Sequence, residues 1–217
     1  MKEIYSKNIT YMNCSVSLFT NDVNLYTEFE KEYKDYFCFK PLLKKVKNVK
    51  IKVLEDEGLY YKYFDYIRKN SKIKNNVYFN IKRENIIIID KINSEIDVIY
   101  DKYNDSKLQH VEEIILGIFG KMFEDDGYYF VHASCVSKNE KGILILGAKH
   151  TGKTSLLLEF LNDSFDFVTN TQLGIKMVNG KLVAISIPSR IGIRIESLFS
   201  RFIDRATNKK HKKYKRI

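Results

Sequence analysis

The sequence predicts an α/β fold with a mixed sheet, in which a strand-rich region over residues 1–105 precedes a core over residues 106–217 that ends in a basic tail. Three observations predict this fold. Short β-prone runs fill the first hundred residues, a long amphipathic helix pattern follows them, and an apolar run then leads through a glycine-containing loop into another helix pattern. No repeat or linker marks the boundary, which rests on the change of pattern alone.

Composition narrows the class of protein before any motif is considered. Hydrophobic residues make up 44% of the chain, which is enough for a packed core and argues against disorder. The three cysteines are an odd number without a CxxC pair, and no secretory leader is evident, so we expect a reducing, cytoplasmic location without disulfides. No apolar run approaches the roughly 20 residues of a membrane span, which predicts that the chain does not insert into a membrane.

The net charge of +10 is concentrated at the end of the chain. Residues 205–217 carry seven Lys or Arg and no acidic residue, which leaves +3 on the rest of the chain. Such a tail can bind RNA or an acidic partner, although a solvated terminus explains the same charges. Nucleic-acid binding is therefore a side hypothesis, and the body of the protein is close to neutral.

The first hundred residues predict a sheet with one helix. The helix starts after the capping residues Asn21 and Asp22 and continues to about Phe37. Alternation of apolar and polar residues, or short apolar runs between turns rich in Asn, Lys and Asp, predicts strands on both sides of this helix. The predicted strands are Cys14–Phe19, Val49–Leu54, Val77–Ile81, Ile86–Ile89 and Ile96–Tyr100.

A second helix and a hairpin open the core. Ser106 is the predicted N-cap of a helix whose apolar side chains keep a 3.6-residue spacing until Gly127. The β-prone run Tyr128–Ser137 follows, and a four-residue turn that ends in Gly142 joins it to the apolar run Ile143–Leu146. Two such runs around a short, glycine-ended turn predict an antiparallel hairpin.

The hairpin leads into a loop, Gly147–Thr154, that fits the pattern G-x-x-x-x-G-K-[ST], and a helix pattern over Ser155–Leu161 follows. A strand before the loop and a helix after it are the context that a phosphate-binding P-loop requires. Glycines at 147 and 152 let backbone N–H groups approach phosphate oxygens, and the helix adds the positive end of its dipole. The predicted nucleotide-binding residues are Gly147, Ala148, Lys149, His150, Thr151, Gly152, Lys153, Thr154 and Ser155.

The pattern assigns chemistry to two side chains of this loop. Lys153 reaches the β- and γ-phosphates as a point charge, and the Thr154 hydroxyl is placed to bind Mg²⁺. We therefore expect ATP or GTP, with Mg²⁺, as the cofactors. The run Ile86–Asp90 resembles the strand whose terminal aspartate helps to hold Mg²⁺ in many P-loop proteins, but it precedes the loop by nearly sixty residues. We interpret it as an ordinary buried strand with a polar end.

The segment around the loop resembles a known family. The run from Val131 through His132 to Ser134, the hairpin, the P-loop with its helix, and the strand Phe167–Thr171 are together similar to the catalytic core of HPr kinase/phosphorylase and the HPr-kinase-related proteins. The resemblance covers roughly residues 106–190. It implies a P-loop core of the HPr kinase/phosphoenolpyruvate carboxykinase type, which uses ATP and Mg²⁺ to phosphorylate a serine hydroxyl of a protein or peptide. His132 would then lie near the phosphates or the reacting hydroxyl.

The catalytic positions that the resemblance implies are His132, Asn170 and Thr171. The family has a pair of aspartates where this chain has Asn170 and Thr171, and neither an amide nor a hydroxyl accepts a proton near neutral pH as a carboxylate does. The family's glycine-rich signature with its glutamate has only a faint counterpart at Ile191–Glu196. Two interpretations stay open: an HPr-kinase-like phosphotransferase, and a non-catalytic nucleotide-binding module that has lost the catalytic aspartates.

Four other charged residues are candidates for the same site. Asp163 and Asp166 precede the strand that ends at Thr171, where they either replace the missing carboxylates or solvate a turn. Arg190 and Arg194 either clamp a phosphate or substrate through their guanidinium groups or are ordinary surface arginines. The expected partner is a protein or peptide substrate whose identity the sequence does not specify, and a homo-oligomer is compatible with the sequence.

Overall fold

The structure is a computed structural model that describes residues 3–35, 37–39, 47–70, 73–74, 77–82, 85–101, 107–148 and 151–187. Strands and helices follow one another through both halves of the chain, which is a mixed α/β protein as the sequence predicts. The chain divides into two compact units, Met1–Phe119 and Gly120–Ile217.

Seven strands of the first unit lie within the described residues. They are β1 (Tyr5–Tyr11), β2 (Cys14–Thr20), β3 (Lys47–Glu55), β4 (Ile73–Lys74), β5 (Val77–Lys82), β6 (Asn85–Asp90) and β7 (Glu95–Tyr100). They form one mixed sheet in the order β1-β2-β3-β7-β6-β5-β4. The neighbours β2, β3 and β7 are parallel, and the other neighbours are antiparallel. The carboxyl ends of the three parallel strands therefore meet at one edge of the sheet.

Helices pack against the sheet of the first unit. The helices are α1 (Val23–Tyr33), α2 (Glu57–Lys69) and α3 (Lys107–Asp125), and α3 continues into the second unit. Asp22 and Asp56 cap α1 and α2, because their side chains accept hydrogen bonds from backbone N–H groups of the first turn. Tyr60 of α2 is buried in a cluster with Ile86 and Ile99 of the sheet. These apolar contacts hold α2 on β6 and β7.

The second unit contains two small antiparallel sheets and one helix that begins and ends within it. The strands are β8 (Tyr129–His132), β9 (Ser134–Lys138), β10 (Lys141–Ile145), β11 (Asp166–Thr169), β12 (Gln172–Val178) and β13 (Lys181–Ser186), and the helix is α4 (Lys153–Asn162). One sheet has the order β10-β9-β11 and the other β13-β12-β8. Val136 and Ile145 of the first sheet form a buried cluster with Leu157 and Leu158, so α4 packs on this sheet through apolar side chains.

A two-stranded ribbon passes from one sheet to the other. β9 pairs with β11 and β8 pairs with β12, while only Ala133 separates β8 from β9 and only Asn170 and Thr171 separate β11 from β12. At this bend the Ala133 N–H donates to the Thr171 carbonyl at 3.2 Å, and the Thr171 N–H donates to the Thr169 hydroxyl at 3.3 Å. The sequence predicts unbroken strands over Tyr128–Ser137 and Phe167–Thr171. This prediction is wrong, because both strands end at the bend.

The structure corrects four other details of the sequence prediction. The first hundred residues contain two helices rather than one, because α2 occupies a segment for which no helix is predicted, and α1 ends at Tyr33 rather than near Phe37. The hairpin turn has two residues rather than four, since Asn139 and Glu140 both have positive φ, at 52° and 63°, and β10 begins at once. The strand β1 has no counterpart in the prediction.

The division between the two compact units lies inside α3, whereas the predicted domain boundary precedes this helix. The assignment of residues 1–105 and 106–217 to separate domains remains a prediction. Within the described ranges, no helix is both long enough and apolar enough to cross a membrane.

Candidate phosphate-binding site

The loop between β10 and α4 has a conformation that favours glycine at both of its glycine positions. Gly152 has φ of +88°, a left-handed conformation in which most side chains are strained. A Cβ atom at Gly147 would lie 2.7 Å from the Thr151 hydroxyl oxygen, so any other residue there would force the Thr151 side chain to shift. The sequence predicts glycine at these positions for close approach to phosphate, and the structure adds that the conformation of the loop itself favours glycine there.

The N-terminus of α4 is open. Gly152 is its N-cap, and a glycine provides no side chain to accept a hydrogen bond from the first turn, in contrast to α1 and α2 with their aspartate caps. The first N–H groups of a helix lack partners within the helix, and its dipole places partial positive charge there. This end of α4 therefore offers backbone donors to an anion.

Lys153 folds back over the loop. Its Nζ donates to the carbonyl oxygens of Gly147 and Ala148, both at 2.9 Å. Thr151 closes the same turn, because its hydroxyl donates to the Ala148 carbonyl at 2.8 Å. Both contacts are to exposed, neutral carbonyl groups, so the ammonium group can leave them for a more strongly charged acceptor.

Strand register brings the other predicted catalytic residues to the same end of the sheet. Ile145, the last residue of β10 before the loop, pairs with Ser134, the first residue of β9. β11 runs antiparallel to β9 and ends at Thr169, which pairs with Cys135, so Asn170 and Thr171 follow at this end. His132 pairs with Gln172 directly across the bend. The residues His132, Asn170 and Thr171 thus lie together, at the end of the sheet from which the loop departs.

These residues differ in exposure and in hydrogen bonding. His132 is exposed, whereas Ser134 is fully buried and the amide oxygen of Asn170 is shielded from solvent. The Ser134 hydroxyl and the Asn170 Oδ1 have no hydrogen-bond partner within the described part of the chain. Cys135 is also buried, and burial raises the pKa of its thiol to about 11, so it stays protonated at neutral pH.

The structure separates the two candidate aspartates from the loop. Asp163 follows the last turn of α4, a helix of ten residues and hence about 15 Å in length. Asp166 pairs with Ser137, at the opposite end of β11 from Thr169. Neither is positioned to replace the missing carboxylates.

Asp90 lies in the first unit, where its carboxylate accepts hydrogen bonds from the backbone N–H groups of Ile92 and Asn93. These local contacts agree with its interpretation as the polar end of an ordinary strand.

Several predicted residues fall outside the described ranges: Lys149, His150, Arg190, Arg194 and the basic tail 205–217. Thr154 and Ser155 lie in the first turn of α4 and are half-buried. Ser134 is the residue that sequence reasoning passed over, because a serine in a β-prone run carries no pattern of its own. Its complete burial depends on pairings with residues far along the chain.

No family model matches this chain, and no curated protein matches it significantly.

Proposed function

We propose that the chain binds ATP or GTP, with Mg²⁺, at Gly147–Thr154, and that it is an HPr-kinase-like phosphotransferase acting on a serine hydroxyl of a protein or peptide. One observation carries the proposal. A loop with the sequence of a P-loop joins strand β10 to helix α4, whose N-cap is a glycine and so provides no side-chain hydrogen bond. Both requirements of the motif, the glycine-dependent backbone and the open helix end, are met at the same place.

The loop supports triphosphate binding through charge. A polyphosphate would accept hydrogen bonds from the first N–H groups of α4 and from the ammonium group of Lys153. Phosphate oxygens are negatively charged, whereas the carbonyls of Gly147 and Ala148 that Lys153 now contacts are neutral, so a phosphate attracts the ammonium group more strongly. The exchange of partners therefore favours the bound state.

The donor set around the loop fits Mg²⁺ held mainly through phosphates and water. Within the described residues no group of three or more His, Cys, Asp or Glu side chains could hold a metal ion. Mg²⁺ prefers oxygen ligands, keeps several waters and often binds through substrate phosphates. The hydroxyl of Thr154 would be its protein ligand, and the unpartnered Oδ1 of Asn170 suits its hydration shell.

Two features support the HPr kinase type over other P-loop proteins. The strand that leads into the loop, β10, is antiparallel to its neighbour β9, whereas the common P-loop fold places this strand in a parallel sheet. His132 lies beside the bend that carries Asn170 and Thr171, so the histidine and the former aspartate positions share one end of the sheet. The proposed fold is accordingly the mixed-sheet core of the HPr kinase/phosphoenolpyruvate carboxykinase type.

A second candidate function, a non-catalytic nucleotide-binding module, is favoured by the chemistry at the bend. Asn170 and Thr171 supply no general base, and Asp163 and Asp166 lie at the other end of the sheet and helix. General-base assistance is typically worth 10²- to 10⁴-fold in rate. In this alternative the nucleotide orders the loop and regulates the binding of a partner.

Thermal denaturation with and without nucleotide tests the binding step that both candidates share. At a ligand concentration of about 100 times Kd, binding stabilises the folded state by about 2.7 kcal/mol, or about 5–10 °C in melting temperature for a chain of this length. We expect Mg²⁺-ATP or Mg²⁺-GTP to produce this shift in the wild type, and Lys153→Ala to remove most of it.

Lys141→Ala is the matched control, because Lys141 is exposed on β10 but lies at the far end of that strand from the loop. It should keep the full shift. Equal shifts in the wild type and in Lys153→Ala, or no shift in the wild type, would contradict the proposal.

A further inference from the structure

Two buried polar atoms of the second unit lack a hydrogen-bond partner within the described residues, and both lie at the loop end of the β10-β9-β11 sheet. They are the Ser134 hydroxyl oxygen and the Asn170 Oδ1. Buried polar groups are almost always paired, so an unpaired one calls for an explanation such as a ligand or water. Their shared location, rather than their number, suggests one explanation for both.

Strand geometry places the Ser134 hydroxyl under the phosphate-binding loop. Ser134 pairs with Ile145, the residue that precedes the loop, and paired strands lie about 4.8 Å apart. Side chains alternate along a strand, so Ser134 shares a face with Val136, which packs against Leu157 and Leu158 of α4. The hydroxyl is therefore on the α4 side of the sheet, at the end where α4 begins.

In the folded state, the Ser134 hydroxyl makes no stabilising contact with the described residues that an apolar side chain would lack. Burial removes it from water, and no protein group in the described part of the chain replaces the lost hydrogen bonds. An alanine at this position would avoid the cost of desolvation. A serine that costs stability at a candidate binding site is expected where function uses it.

We infer that Ser134 is a positioning residue for the terminal phosphate of a bound nucleoside triphosphate, an inference that rests on the proposed function. A hydroxyl can donate to a phosphate oxygen, whereas the Asn170 Oδ1 can accept from a water on the accompanying cation. The nucleoside is too large for a buried position and extends into solvent. The terminal phosphate and its hydrated cation are polar, and they match the two unpartnered atoms in hydrogen-bonding type.

The inference predicts a preference for triphosphate over diphosphate that depends on Ser134. Ser134→Ala should weaken Mg²⁺-ATP binding about tenfold, as expected for the loss of one hydrogen bond to a charged group, and should change Mg²⁺-ADP binding less than twofold. Ser137→Ala is the matched control, because Ser137 is a buried serine on the same strand but at the end away from the loop. It should change neither affinity. Isothermal titration calorimetry of the wild type and both variants with each nucleotide measures all six constants.

The melting temperature of the ligand-free protein separates this role from a structural one. Since the Ser134 hydroxyl has no protein partner in the described residues, Ser134→Ala should leave the ligand-free melting temperature unchanged or raise it. A lower melting temperature would show that the hydroxyl supports the fold, and would overturn the inference.

The titration also distinguishes a failure of the inference about Ser134 from a failure of the proposed nucleotide binding. If the wild type binds ATP and Ser134→Ala weakens ATP and ADP equally, or weakens neither, the inference fails and nucleotide binding stands. If the wild type binds neither nucleotide, the proposed function fails and the inference fails with it.

Discussion

Replacing Lys107 with methionine is expected to lower the free energy of unfolding by about 3 kcal/mol, the largest stability loss that we predict for a single side chain. Lys107 begins α3, and its side chain is only 4% exposed. Its Nζ lies 2.7 Å from the Asp22 carboxylate and 3.0 Å from that of Glu55, and 5.2 Å from the centre of the Tyr100 ring. Removal of the cation leaves two carboxylates together in a largely buried place.

The position of this cluster explains its expected effect. Asp22 follows β2, Glu55 ends β3 and Tyr100 ends β7, so Lys107 joins α3 to the carboxyl ends of three adjacent parallel strands. Asp22 also caps α1, and its orientation depends on the same contacts. Loss of the ammonium group would therefore disturb a helix cap as well as an ion pair.

Lys121→Met is the matched control for this prediction. Lys121 lies on the same helix and pairs with Glu124 and Asp125, but all three side chains are more than half exposed. Exposed pairs of this kind contribute little to stability, typically below 1 kcal/mol. Urea denaturation of both variants measures the difference, and equal losses of stability would contradict the role of Lys107.

Acid denaturation should reveal the contribution of the same cluster to stability, because Asp22 loses its charge at low pH. Burial raises the pKa of this carboxyl, but the hydrogen bonds from Lys107 and from the backbone N–H groups of Leu25 and Asn24 outweigh it, and its pKa lies below the ordinary value of 3.8. A lowered pKa in the folded state adds stability that is present above pH 3.8 and is lost as the pH falls through the folded value. Lys107→Met removes one cause of the lowered pKa of Asp22. The free energy of unfolding of this variant should therefore fall less steeply than that of the wild type as the pH drops below 3.8.

The loop could be predicted from sequence because its chemistry is local. The positions of Gly147, Gly152 and Lys153 follow from a pattern of eight residues, and the strand and helix on either side follow from neighbouring apolar residues. The strands around Ile51, Ile86 and Val98 were predictable for the same reason, since each is a short β-prone run between polar turns.

Elements that depend on distant partners could not be predicted in this way. The segment of α2 is rich in tyrosine and phenylalanine, residues of high β propensity, and it is helical because Tyr60 and Ile67 pack on Ile86 and Ile99 of the sheet. The bend at Ala133 and Asn170 likewise cannot be recognised from the residue pattern of one strand. It arises because two segments pair with each other on both sides of it.

The bend determines the last prediction, which concerns catalysis. Asn170 and Thr171 lie at the end of the sheet from which the loop departs, across from His132, but neither side chain is a base. Replacing both with aspartate would add carboxylates beside the proposed triphosphate site. We expect the wild type to hydrolyse ATP slowly or not at all, and Asn170→Asp with Thr171→Asp to raise ATP turnover by about 10²-fold, the lower end of what a general base contributes.

Burial predicts how this variant depends on metal. The Asn170 Oδ1 is shielded from solvent, so a carboxylate there would be costly to ionise in the ligand-free protein. A divalent cation beside it would favour the charged form. The double aspartate variant should therefore melt at a lower temperature than the wild type without ligand, and should recover more stability than the wild type when Mg²⁺ and ATP are added.

Controls in this experiment separate catalysis from added charge. Asn179→Asp adds one carboxylate in the β12–β13 turn, away from the bend, and should leave turnover at the wild-type level. Lys153→Ala in the double aspartate background should abolish the gain, because the phosphates are no longer held. His132→Ala in that background should slow turnover while it leaves nucleotide affinity largely intact. Rapid turnover by the wild type, unaffected by changes at 170 or 171, would mean that another residue supplies the base, and that these two positions do not correspond to the aspartate pair of HPr kinase.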